Sequence, residues 1–425
     1  MRIFVLWFLG VALVTPVAAQ RGKLDPAFEN IAFDQWLAEL DQAHFHFTVK
    51  VPRAELSFHQ RLVSSIDIKI DGRDLQDRRD HGNLLLLIQL TDSSGAHYQD
   101  HGDLDLSKLD PNVKDATLTY SQHAFLVPGD YELAVALLDS QKRDHSISLT
   151  KIRIAPPSQD FLVNAWSDLP AVEYIGNDVS PESWYLPYID GRLRWAGATH
   201  SPAQVNVILN LAPSTAPGSR RAPSSGLAAL LPSLKVLTQT GSSSISERTV
   251  LLDMSRRKTV FDQNAVHELD WPRLKTSLSD ANTASIDIHS LENGQDDAQF
   301  FVSEVRRVLR ASADKPCVLV VLTQPVAFES KEDREPISTE ALPPCHVFYL
   351  RFHRPSQIPR SIDPMSGRGR HSRMGGGPMM GYPPMNEAFD QLASTLKPLN
   401  PKVIDVEAPD QVTKALAEIL KAIIK

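Results

Sequence analysis

The chain has 425 residues, 42% hydrophobic and 22% charged, with a formal net charge of −7. Those figures fit a globular protein long enough for two or three domains. They argue against a nucleic-acid partner, because no long run of clustered Lys and Arg is present to neutralise phosphates.

The N-terminus reads as a bacterial-type secretory signal peptide over residues 1–19. Met1 and Arg2 form a short positive region, Ile3 to Val14 an apolar stretch, and Val17, Ala18 and Ala19 place small residues before a cleavage between Ala19 and Gln20. The apolar run is short for a membrane span, which needs about 20 residues. No later stretch is long and apolar enough to replace it. The expected product is a periplasmic or secreted chain with no membrane span after signal removal.

Residues 20–157 read as β-structure. A short helical period over Ala32 to Gln42 gives way to period two. His44 to Val51, Ser65 to Ile70, Leu84 to Leu90, Tyr131 to Leu137 and Ile147 to Ile154 are strand candidates, and Asp71-Gly72 is a turn signal. Short strands between turn clusters predict an antiparallel sandwich. The phrase Pro128-Gly129-Asp130-Tyr131-Glu132-Leu133 resembles the late-strand signature of bacterial immunoglobulin-like domains.

One polar stretch invites a metal reading. His97, Asp100, His101, Asp103 and Asp105 crowd together, with Asp80 and His81 upstream. Imidazole and carboxylate suit divalent metals. The stretch reads as a solvated hairpin loop, with no element to fix ligand geometry, so no metal is assigned to it. His44 and His46 share a strand face and read as packed or solvent-facing.

Residues 158–203 are a connector rich in Trp166, Trp184, Tyr185, Pro187, Tyr188 and Trp195, aromatics that read as linker packing. From Gln204 the pattern alternates strand and helix. Val205 to Leu211 is a strand, and Leu227 to Leu237 has helical spacing. Arg248 to Met254 and Lys258 to Asp262 are joined by only Ser255-Arg256-Arg257, which admits nothing but an antiparallel hairpin. A helix from Asp296 to Ala311, strands Cys317 to Leu322 and His346 to Leu350, a helix Glu387 to Leu396, a strand Lys402 to Val406 and a terminal helix capped by Asp410 follow.

This order predicts an α/β domain over 204–425: a doubly wound, mostly parallel sheet with helices on both faces. Together with the early hairpin and the phrase Val205-Asn206-Val207-Ile208-Leu209-Asn210, it resembles the von Willebrand factor type A domain, and the full layout is similar to secreted acidobacterial proteins of that family. The resemblance implies a metal-ion-dependent adhesion site, whose Asp-x-Ser-x-Ser loop holds Mg²⁺ through oxygen ligands. Here the matching positions are Asn210, Ala212 and Ser214. The later Thr-Asp-Gly phrase is Thr323-Gln324-Pro325, and the loop threonine has only Thr283 or Ser285 near it. With both carboxylates replaced by amides, no cation and no cofactor are expected.

Cys317 and Cys345 lack Cys-x-x-Cys spacing, so they read as a structural disulfide or two buried thiols rather than a redox pair. Residues 355–385, with Arg368, Arg370, His371, Arg373 and a Gly/Met/Pro run, form a flexible insert. Nucleophile elbow, zinc-protease and phosphate-loop motifs are absent from the sequence. The implied function is non-enzymatic binding of a protein partner, in adhesion or scaffolding. The alternatives are a metal-dependent adhesin and a hydrolase.

Overall fold

A computed structural model describes residues 23–38, 44–79, 82–158, 162, 164–175, 191–193, 203–211, 224–238, 245–264, 269–282, 296–312, 316–326, 337, 342–353 and 390–424. The signal segment with Ala19 and Gln20, Asp80, His81, the connector aromatics other than Trp166, Ala212, Ser214, Thr283, Ser285 and the 355–385 insert lie outside the described residues.

Along the chain the strands are β1 (Phe47–Lys50), β2 (Glu55–Leu56), β3 (Leu62–Asp71), β4 (Asn83–Asp92), β5 (His97–Asp105), β6 (Thr117–Leu126), β7 (Gly129–Asp139), β8 (His145–Ile154), β9 (Val172–Ile175), β10 (Ala203–Asn210), β11 (Ile245–Asp253), β12 (Lys258–Asn264), β13 (Cys317–Thr323), β14 (Cys345–Phe352) and β15 (Lys402–Val406). The α-helices are α1 (Phe33–Ala38), α2 (Gly72–Gln76), α3 (Ser224–Leu237), α4 (Trp271–Asn282), α5 (Asp296–Arg310), α6 (Gln391–Leu396) and α7 (Pro409–Ile424). They fall into two compact units. One comprises Met1–His44, Arg79–Leu109 and Asp130–Ile152; the other comprises Phe45–Arg78, Asp110–Gly129 and Arg153–Lys425.

The first unit holds a four-stranded sheet in the order β5-β4-β7-β8. β4 runs antiparallel to both β5 and β7, and a tight turn closed by Asp139 and Asp144 joins β7 to β8. Leu84, Leu86, Leu87, Ile88 and Leu90 of β4 are all buried, as a central strand requires. A small cluster of Leu87, Ala134 and Ala136 is covered by Phe28 and Phe33, whose rings meet edge to face at 4.9 Å. Asp25 starts this covering segment: its Oδ1 accepts from Ala27 N at 2.8 Å, capping a one-turn helix over Pro26–Phe28. The polar stretch read as a loop is the edge strand β5. As an edge strand it tolerates exposed His and Asp side chains such as His97, His101 and Asp103, while Tyr98 and Gly102 are buried. Gln99 N donates to Lys23 O at 2.9 Å, so the leading segment lies along that flank.

The second unit holds two sheets. One has five strands, in the order β1-β3-β6-β9 with β2 also on β3, all antiparallel. The Asp71-Gly72 signal does not make a hairpin turn here. Asp71 caps α2 by accepting from Arg73 N, and Gly72 N donates to Ala116 O at 3.0 Å. A Cβ at Gly72 would fall 1.8 Å from Val113 O, so only glycine fits.

The other sheet has six strands, in the order β12-β11-β10-β13-β14-β15. Its pairings are parallel except for the β11–β12 hairpin, the antiparallel pair that the short Ser255–Arg257 gap demands. Every residue of β13 is buried. On one face Val205, Val207 and Leu209 pack with Leu231 and Leu234 of α3 and Leu416 and Ile419 of α7. On the other, Ile208, Val250 and Leu252 pack with Phe301 and Val305 of α5 and Leu392 of α6. Each such side chain contributes about 1.5–3 kcal/mol by burial.

The expectation of a doubly wound α/β fold of the von Willebrand type is overturned. Strand outweighs helix among the described residues, and two of the three sheets, of five and four strands, are antiparallel against one mostly parallel sheet of six. The element order in the second half drew the class towards α/β. The first-half strands, mostly 9–11 residues long, carry the majority of the sheet structure. α4 is absent from the sequence reading: among its described side chains, 271–278, Leu274 and Leu278 are the buried hydrophobics, so its apolar period is faint. Asp410 lies in the first turn of α7 and pairs with Lys414 at 3.4 Å instead of capping the helix.

Within this unit the turn before β3 docks on the first turn of α7. Gln60, with φ 57°, has a fully buried side chain. Its Nε2 donates to Pro409 O at 3.0 Å, its Oε1 accepts from Thr413 at 2.5 Å, and its carbonyl accepts from Trp166 Nε1 at 2.9 Å. The connector tryptophan is thus a packing residue. Beside it His59 is buried edge-on against Phe125, and Arg61 pairs with Glu173. Burial, reinforced by the charges of Lys235 and Arg61, holds the His59 imidazole down to about 3.

Cys317 and Cys345 face each other across β13 and β14 and are bridged, closing a sequence separation of 28. Replacing both by alanine should lower the unfolding free energy by about 3–4 kcal/mol in the chain-entropy account, measured in guanidinium titrations. For His59 the unfolded chain takes a proton below the ordinary value of 6.5 while the folded chain refuses it until about 3. Stability contributed by the neutral ring is therefore complete above 6.5 and is lost as the pH falls. Relative to His59→Leu, the protein should lose about 1.4 kcal/mol per pH unit across that window, read from urea titrations at stepped pH.

Candidate functional site

Loops at the carboxyl ends of parallel strands are where such sheets present ligand-binding groups. At that rim Asn210 ends β10 and is buried. Its Nδ2 donates to Thr323 Oγ1 at 3.0 Å, and its Oδ1 accepts from Met254 N at 3.4 Å. Thr323 Oγ1 donates onward to the Gln324 carbonyl at 2.9 Å. One amide therefore laces three neighbouring strand ends, those of β11, β10 and β13. Gln324 lies just past β13, half-buried. Ala212 and Ser214 are outside the described residues, so of the expected set only Asn210 and Gln324 are placed. Thr323 was not singled out; the one clue was a hydroxyl closing an otherwise apolar run.

The neighbouring strand ends carry a charged cluster. Arg351 of β14 makes a two-pronged contact with Asp405 of β15, Nε to Oδ1 at 2.6 Å and Nη2 to Oδ2 at 3.0 Å. Its Nη1 reaches Asp390 at 3.2 Å, and Tyr349 donates to the same Asp390 oxygen at 3.0 Å. Asp390 also caps α6 through Ala393 N. His353 Nε2 lies 2.6 Å from Asp405. The bond from Arg351, helped by its charge, holds Asp405 below the usual carboxylate range. Burial and the Asp390 charge push the Tyr349 phenol well up. Asp390 is 2% exposed and Asp405 46% exposed, so the two halves of the cluster carry different weight.

The polar stretch on β5 separates in the structure. His97 meets Thr91 at 3.0 Å, Asp103 accepts from Asn83 at 3.4 Å, and Asp105 caps the turn at Leu106. Asp100 and His101 converge instead on Asp25, with His101 Nδ1 2.7 Å from Asp25 Oδ2. Burial pushes the Asp100 carboxyl up to about 6; the His101 backbone N–H opposes that and the Asp25 charge adds to it. Asp25 was outside every sequence motif, and no spacing links it to residues 75 positions and more away. Of the other histidines, His46 precedes β1 and pairs with Asp74 at 3.2 Å, and His44 N donates to Ser146 at 2.7 Å.

No family model and no curated protein matches the chain. Among solved structures, a structural-genomics target designated SoR45 is 16% identical, with 27% of this chain and 89% of that one covered, at a TM-score of 0.18. A Bordetella pertussis protein assigned as ApaA is 17% identical, with 27% and 97% covered, at 0.18. A glycosyl hydrolase family 2 member from Bacteroides cellulosilyticus DSM 14838 is 11% identical, with 77% and 39% covered, at 0.20. Likenesses this slight carry nothing about the fold or activity of this chain.

The charged cluster gives a stability prediction. Arg351→Met strands Asp390 in the interior and should cost about 3–5 kcal/mol. Asp405→Asn touches the half-exposed partner and should cost no more than about 1 kcal/mol. Guanidinium unfolding of both variants measures the contrast.

Proposed function

We propose that this chain is an exported, non-enzymatic protein-binding protein that offers the loops at the carboxyl-end rim of its six-stranded sheet to a protein partner. The observation that carries the reading is the lacing at Asn210. Its amide is engaged with Thr323 and Met254, so the centre of the rim is a fixed frame rather than an open set of oxygen ligands. A frame of this kind holds loops in place for recognition. Export is supported by the Cys317–Cys345 disulfide, a bond that persists in oxidising compartments. No helix among the described residues is long and apolar enough to cross a membrane.

Two measurements test the reading together. A photo-crosslinking residue at Leu211, beside the rim, should capture a discrete protein from cell-envelope extract, and capture should weaken when Asn210→Ala loosens the frame. Calorimetric titration with Mg²⁺, the oxygen-seeking ion such a rim would hold, should show no binding. Saturable Mg²⁺ binding abolished by Asn210→Ala, or absence of any rim-dependent crosslink, would overturn the proposal.

A further inference from the structure

We propose that Asp25, Asp100 and His101 form a binding site for one divalent transition-metal ion of the zinc class, at the bare flank of the four-stranded sheet. One ligand atom from each residue lies within 4.8 Å of the other two, the spread that a single ion can span. The donor set is one imidazole nitrogen and two carboxylates. That mixture suits Zn²⁺ and its neighbours in the first transition row better than Mg²⁺ or Ca²⁺, which prefer oxygen alone. Three protein ligands leave a fourth position for water.

Local structure holds each ligand. Asp100 and His101 are consecutive on an edge strand, so their side chains leave on opposite faces and meet only around its unpaired flank. The leading segment closes that flank, through Gln99 N to Lys23 O at 2.9 Å and Asp25 N to Gln99 Oε1 at 3.2 Å. Gln99 is steadied in turn by Gln89 at 2.7 Å. Asp25 has one oxygen engaged by Ala27 N, which turns the other towards His101. A ligating carboxylate commonly has its second oxygen held this way. The Asp25 side chain is 12% exposed and that of His101 41%, so the ligands are sheltered while an ion has a route in. The His101–Asp25 contact is also a sufficient ion pair without metal, and the experiment separates the two cases.

The full chain, stripped with chelator, is titrated with Zn²⁺ by calorimetry, and bound metal is counted by elemental analysis after gel filtration. The expected result is one equivalent of zinc, with affinity reduced at least about tenfold in His101→Ala and in Asp100→Asn. Asp25→Asn preserves the cap, since asparagine caps as well as aspartate, and so removes a ligand charge without unseating the segment. It should weaken zinc to a similar degree with an unchanged circular dichroism spectrum. His97→Ala, on the same strand, should bind zinc as the parent does. Absence of stoichiometric zinc, or zinc retained undiminished by all three ligand variants, would show an ion pair only and sink the proposal.

Discussion

The second unit depends on β13 being dry on both faces. All seven of its residues are buried, between β10 and β14 and beneath helices on either side. A strand in that position can satisfy its backbone only through its neighbours, and it leaves no room for polar side chains along its length. Polar chemistry is therefore displaced to the two ends. At the amino end the Cys317–Cys345 bond ties β13 to β14, and Asn206 of β10 donates to Ser312 at 3.0 Å. At the carboxyl end the tie is Asn210 to Thr323 on one side and Arg351 to Asp405 on the other. The same dry interior explains why the rim is braced so thoroughly: unpaired polar groups there would abut the apolar core.

What was legible in the sequence was local. The three-residue gap between β11 and β12 allowed only a hairpin, and a hairpin is present. The β-prone run Lys402–Val406 reads as a strand, and β15 has those bounds. Illegible features were those decided by distant partners. His97–Asp105 has the composition of a loop, and it is a strand because β4 pairs along it. Asp71-Gly72 has the chemistry of a turn, and it starts a helix because Val113 and Ala116 press against Gly72. Fold class failed for a related reason. The alternation of strand and helix in the second half matches the element order there apart from α4, but the weight of a chain among its sheets is a property of the whole. No periodicity ties Asp25 to Asp100, since it is the contacts of Lys23 and Asp25 with Gln99 and His101 that bring them together.

The docking of the turn before β3 onto α7 shows how buried charge is accommodated. Arg61 pairs with Glu173 through one terminal nitrogen, and its guanidinium lies over the Phe125 ring at 4.9 Å. Its Nε and Nη2, and His59 Nε2, have no hydrogen-bond partner among the described residues. The ring face takes the place of an acceptor, a weaker substitute than a hydrogen bond. Burial lowers the Arg61 value from its ordinary level, and Glu173 pulls it back. The neutral His59 beside it is thus a condition of the docking: a charge on its ring would be buried next to the like charges of Lys235 and Arg61.

The strip Lys23–Asp25 along β5 also bears on how copies of the molecule behave towards one another. An edge strand with bare amide and carbonyl groups is a template for any other extended chain, and covering it is a common natural defence. Here the cover is a few residues at the head of the described chain, held by Gln99 and His101. Lifting it would bare the outer amide and carbonyl groups of β5, so the resistance of this edge to strand addition rests on those few contacts.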